Sequence, residues 1–174
     1  MNIQEQVQRF IDAERPAFVE QVLVPLDMED FELNYERLGS MENTSVDLRR
    51  VVGMKHPNYG GCTYGQLVGK PFGNRETAHL QRIRGAMLEL LESPEYYSNH
   101  DRKSTWGFWD LDGRLFCVEG AHRTAVGRYV LEAQRLEPMV HGVNLTTYRH
   151  KVTPAIRPVS ASTLPKSFLR RLFD

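Results

Sequence analysis

The apolar positions of this chain change period several times, and each change predicts an element. Ile3, Val7, Phe10 and Ile11 stand at helical spacing, so the chain opens with an amphipathic helix over 3–13 that ends near Pro16, which cannot donate a helical hydrogen bond. Phe18 to Leu26 is a second apolar stretch, broken at Pro25 and compatible with helix or strand. Val46, Leu48, Val51 and Val52 mark a strand from Thr44 to Met54 that carries Arg49 and Arg50. From His56 to Asn74 the chain is crowded with glycine and proline and reads as a long loop, a feature often found covering a site. Leu80, Ile83, Met87, Leu90 and Leu91 then trace the buried stripe of a helix from about Arg75 to Glu92, which Ser93-Pro94 terminates.

The following stretch is patterned more sharply. Asp112-Gly113 separates two apolar runs and predicts a hairpin, because a type I′ turn needs positive φ at both central residues. The second strand runs directly into Glu119-Gly120. Ala121, Ala125, Val126, Tyr129, Val130 and Ala133 then define the apolar face of a helix closed by Pro138, with Arg123, Arg128, Glu132 and Arg135 on its other faces. Met139 to Tyr148 reads as a further strand, Thr153 to Pro165 as a proline-punctuated tail, and Lys166 to Leu172 as a short basic helix. The expected organisation is an N-terminal helical extension (1–43), one α/β domain (44–150) with a small mixed sheet and flanking helices, and a C-terminal tail (151–174).

Composition narrows the function classes. The 22 basic residues balance 22 acidic ones, which argues against a whole-protein electrostatic footprint for nucleic acid and leaves only local patches. No apolar run reaches the roughly 18 residues of a membrane span, and the N-terminus lacks a signal-peptide pattern, so the expectation is a cytoplasmic protein without a membrane partner. Cys62 and Cys117 have neither disulfide nor zinc spacing, and His56, His79, His100, His141 and His150 show no ligand pattern.

The chemistry concentrates in Leu115-Phe-Cys-Val-Glu-Gly-Ala-His-Arg-Thr124. A glycine between strand and helix lets the backbone turn sharply, and the helix start offers N–H groups and partial positive charge to an anion. Gly120, Ala121, His122, Arg123 and Thr124 are therefore the candidate phosphate-binding residues. Arg123 supplies a forked guanidinium, and His122 a donor or a proton exchanger near neutral pH. Arg49, Arg50 and Lys55 are accessory candidates from the neighbouring strand, and Trp109 is a candidate for stacking on a base.

Gly120-Ala121-His122-Arg123 resembles the Gly-Cys-His-Arg loop of sulfiredoxins, and Glu119 to Ala125 resembles the acidic-Gly-x-His-Arg-x-Ala pattern of ParB-like proteins. The likeness to this ParB/sulfiredoxin superfamily spans roughly Thr44 to Tyr148. It implies ATP or another nucleoside triphosphate as ligand, bound at this loop. Ala121 replaces the sulfiredoxin cysteine, so that repair activity is not implied. There is no room for the DNA-binding domain of ParB clamps. What the resemblance implies is a small stand-alone member, like those that inhibit plasmid fertility: an ATPase with DNase action, DNA as a further ligand, and a conjugation or secretion-system protein as partner. Glu119, His122 and Arg123 would be its catalytic residues. Glu119 either holds Mg or orients water, or it pairs with Arg123 or Arg128.

A second reading stays open. Cys117-Val-Glu-Gly-Ala-His-Arg123-Thr124 satisfies the Cys-x-x-Gly-x-x-Arg-Thr pattern of cysteine phosphatases, in which a Cys117 thiolate would attack a phosphoester clamped by Arg123. Glu119 beside a phosphate dianion and a tight hairpin in place of a parallel sheet count against it. A third reading is an interaction protein with a vestigial phosphate pocket.

Overall fold

The hairpin forms as its turn chemistry dictates. In the computed structural model, which describes residues 9, 12–14, 16–57, 59–69 and 95–151, Asp112 (φ 51°) and Gly113 (φ 85°) both take positive φ. They join β4 (Gly107–Leu111) to β5 (Arg114–Glu119), with Trp109 opposite Phe116 and Phe108 opposite Cys117. Preceding strands are β1 (Val24–Pro25), β2 (Tyr35–Asp47) and β3 (Val51–Met54), and β6 (Met139–His150) follows. The order across the six-stranded sheet is β1-β3-β5-β4-β6-β2. β3 runs parallel to β5 and β4 parallel to β6, so the sheet is mixed, as expected.

Helices α1 (Met28–Asn34), α2 (Tyr64–Gly69) and α3 (Ala121–Ala133) flank it. The α3 side holds the main core, including Leu48, Val51, Trp106, Phe108, Val126 and Tyr129, all nearly inaccessible. Across the sheet, Phe31 of α1 caps a smaller cluster with Leu111 and Phe116, stacked on Trp109 at 4.5 Å. Among the described residues no helix is long and apolar enough to cross a membrane.

Several expectations are corrected. Thr44 to Met54 is not one strand: Asp47 turns its carboxylate onto the Arg49 N–H (2.9 Å) and starts a 3-10 turn, Leu48–Arg50, that separates β2 from β3. Arg49 and Arg50 therefore sit on a turn. β2 also crosses position 43/44 and pairs with β6 from Tyr35 to Asp47, so residues placed in an extension belong to the sheet. Phe18 to Leu26 is partly each alternative, a 3-10 turn at Ala17–Glu20 and then β1. The long loop contains α2, started by a reciprocal cap in which the Gln66 N–H donates to Thr63 Oγ1 (3.1 Å) and the Thr63 N–H to Gln66 Oε1 (2.9 Å). Residues 9 and 12–14 are helical, in keeping with the opening helix. The remainder of that helix, the helix over 75–92 and the tail beyond Lys151 with its basic helix lie outside the described residues.

Candidate functional site

The site is built where β5 turns into α3. Gly120 makes that turn at φ 81°, ψ 30°. A side chain there would fail twice, because the backbone is left-handed and a Cβ would lie 2.6 Å from Trp106 Cδ1. Glycine also leaves the helix start without a side-chain cap. Thr124 is the first residue whose N–H finds an intrahelical acceptor, Gly120 O at 2.9 Å. The turn before it presents its N–H groups toward a cleft of about 460 Å³ lined by Val118 to Arg123, with His56 and Thr105 on its other walls.

Arg123 is half-buried on this cleft. Its guanidinium lies over the Trp106 ring, 5.1 Å from the centroid. Nη1 donates to Tyr96 Oη (2.7 Å), and Nη2 donates to the Thr105 carbonyl (2.7 Å) and hydroxyl (3.2 Å). Nε–H and the second Nη1–H have no acceptor among the described residues, nor does a carboxylate pair with this cation there. Lys103 steadies the segment that carries Thr105: its buried ammonium donates to Asn99 Oδ1 and to the His141 carbonyl, each at 2.8 Å.

His122 also lines the cleft, and its Nε2 is hydrogen-bonded to the Tyr59 hydroxyl. His56 stacks on Tyr59 with ring centroids 4.3 Å apart. Sequence reasoning missed both partners. His56 has no metal-ligand spacing in the sequence; its position two residues past β3, which runs parallel to β5, is what brings it to the cleft. Glu119 is exposed at the lip and forms no ion pair with Arg123 or Arg128. The structural-salt-bridge role for Glu119 thus has no support among the described residues.

Other candidates separate from the cleft. The Thr124 side chain is fully buried, and its hydroxyl accepts from Trp106 Nε1 (2.9 Å), so it secures the helix start instead of contacting a ligand. Arg49 pairs with Asp47 (2.8 Å) and Glu137 (3.4 Å), away from the cleft lining. Partial burial pushes the Asp47 carboxyl up, but the side-chain and backbone hydrogen bonds from Arg49, together with its charge, hold it below the usual range. Arg50 is exposed and does not line the cleft. Lys55 stands beside it, with its ammonium 4.9 Å from the Trp109 centroid. Arg128, expected on an outer face, is buried. It pairs with Glu132 (3.2 Å) and lies over the rings of Phe18 (4.2 Å) and Tyr64 (4.9 Å).

Cys117 faces the core. Its Sγ is 3.1 Å from Thr124 Oγ1 and donates to the Glu119 carbonyl at 3.2 Å. Burial pushes the thiol up to about 12, despite the opposing hydrogen bond from Thr124 and the charge of Arg123. A thiolate nucleophile needs the opposite, a partly exposed sulfur with a depressed pKa, and Cys117 has neither.

No group of three potential metal ligands occurs among the described residues. Glu119 is the carboxylate that lines the cleft, so the donor set fits Mg arriving on phosphate oxygens and does not fit a metal held by protein alone. Comparison with protein-family models, with curated proteins and with solved structures finds no match for this chain.

Proposed function

We propose that this protein binds a nucleoside triphosphate at the start of α3 and hydrolyses it slowly. The observation that carries the reading is Arg123, a half-buried cation with no carboxylate partner among the described residues, beside a helix start without a side-chain cap in the same cleft. Both features favour an anion, and the two remaining donors of Arg123 suit phosphate oxygens. His122, hydrogen-bonded to Tyr59, lines the same cleft. Glu119, which pairs with no arginine among the described residues, positions the attacking water and accepts its proton as the bond to the terminal phosphate breaks. Mg would be held by Glu119 and the phosphates, and would neutralise charge that develops on them. The likeness of the Gly-Ala-His-Arg loop to ParB/sulfiredoxin proteins agrees with this ligand class. DNase action, DNA as ligand and a conjugation or secretion-system partner rest on that likeness alone and are proposed on that footing.

The test is binding of ATP, CTP and GTP, with and without magnesium, to the wild type and to Arg123→Ala. Loss of charge-assisted hydrogen bonds should weaken binding by about 1.5–3 kcal/mol while the protein stays folded. Equal binding by the two proteins would remove the pocket.

A further inference from the structure

We propose that Lys55 and Trp109 form a second subsite adjoining this cleft at the end of β5, in which Trp109 receives the base of the nucleotide and Lys55 one of its inner phosphates. The proposal rests on the triphosphate reading above and gives it a direction along the sheet. Val118 lines the cleft. Phe116, two places earlier on β5, shares its face and stands opposite Trp109. The β4–β5 register shifts between Gly107 and Phe108, so Val118 is the unpaired residue just past the Cys117–Phe108 pair, next along β5 from the Phe116–Trp109 pair. Lys55 reaches the same place from the other side of β5. Its N–H donates to the Cys117 carbonyl (2.9 Å), the next residue, His56, is a wall of the cleft, and its ammonium lies over Trp109.

The charge pattern then selects the ligand. Lys55 is exposed and forms no ion pair among the described residues, so a tryptophan ring is its observed partner, as for Arg123 over Trp106. Two such cations flank a cleft whose one lining carboxylate among the described residues is Glu119. A single phosphate at the start of α3 uses Arg123 alone. A cation farther along the sheet suits a longer polyanion, and an aromatic ring beneath it suits that polyanion when it ends in a base. Phe31 stacks on Trp109 with an interplanar angle of 23° and fixes the ring. Transfer of the Lys55 ammonium to a phosphate uncovers the ring where it had lain.

Calorimetric titration with ATP and with inorganic tripolyphosphate separates the two subsites, using the wild type, Trp109→Leu, Lys55→Ala and Arg123→Ala. The wild type should prefer ATP by at least about fivefold, the lower end for a base stacked on an aromatic side chain. Trp109→Leu keeps an apolar neighbour for Phe31 and should abolish the preference by weakening ATP alone, its unchanged tripolyphosphate affinity showing that the cleft is intact. Lys55→Ala should weaken both ligands. Equal wild-type affinities, or a preference that survives in Trp109→Leu, would overturn the second subsite. The phosphate pocket would still stand if Arg123→Ala lost tripolyphosphate. A wild type that binds neither ligand would overturn both proposals.

Discussion

The two ends of α3 each turn on a residue with positive φ, and they do opposite things. At the C-terminal end Arg135 (φ 58°) closes a Schellman motif: the Leu136 N–H donates to the Leu131 carbonyl (2.8 Å) and the Arg135 N–H to the Glu132 carbonyl (2.9 Å). The helix therefore stops at Ala133, before Pro138 is reached. At the other end Gly120 turns the chain and caps nothing. The arginines repeat the contrast. Arg128, deep in the helix, has its charge matched by Glu132, whereas Arg123 in the first turn meets neutral oxygens and a ring among the described residues. Among the described residues, α3 therefore has its last carbonyls capped by backbone hydrogen bonds and its first turn without a side-chain cap.

Substitutions can break this comparison, and the buried arginine should matter most to stability. Arg128→Ala leaves Glu132 without its partner in a largely buried setting, and should cost about 3–5 kcal/mol in denaturant unfolding. A loss below about 1 kcal/mol would show that the two arginines do not differ as described. Gly120→Ala comes next. The left-handed backbone alone costs about 1–2 kcal/mol, and displacement of Trp106 adds to it. Triphosphate binding should fall in the same variant; full affinity would mean that the turn does not aim the helix start.

The buried side of the turn sharpens the comparison through pH. The ordinary thiol value is 9.0, and burial holds Cys117 at about 12. Between those values the unfolded chain releases a proton that the folded one retains. This contribution to stability is fully present below pH 9.0 and is lost as pH rises toward 12. The loss is about 1.4 kcal/mol per pH unit within that window. Tyr64, raised by burial from 10.0 to about 12, adds to the slope at its upper end. Unfolding at stepped pH should show the decline, and Cys117→Ser should flatten its first part. An equal slope in both proteins would contradict the burial of this thiol.

Glu119→Gln should have the smallest effect on folding, within about 0.5 kcal/mol, because the side chain is exposed and forms no ion pair among the described residues. Hydrolysis should instead drop by about 100-fold or more with binding kept, as for a group that acts in the transition state. An unchanged rate would refute the role given to Glu119. A wild type inactive on nucleotide and DNA with every divalent metal would leave the interaction-protein reading.

What was legible in the sequence was local. The Asp112-Gly113 turn, the glycine before α3 and the apolar face from Ala121 to Ala133 depend on residues a few places apart, and all three are found. The break at Asp47 and the cap at Thr63 and Gln66 were local as well, but they were hidden under hydrophobic periodicity and glycine content. What composition and spacing could not supply were partners brought together by the sheet. His122 meets Tyr59 across 63 positions, and Arg128 meets Gln21 across 107. The same limit explains Thr124, whose hydroxyl accepts from Trp106, a partner 18 positions away.

Trp106 has a practical consequence. The indole is inaccessible to solvent, its N–H is committed to Thr124, the guanidinium of Arg123 lies above it and the Gly120 turn presses against it. Emission from a rigid, dry indole shifts with the electric field of a nearby charge, so an anion that draws Arg123 away, or merely neutralises it, alters the colour of the light. The chain contains two tryptophans, so in Trp109→Leu this signal has a single source. The protein thus carries an optical gauge of its own cleft, readable without a label and fast enough to time the arrival of a ligand.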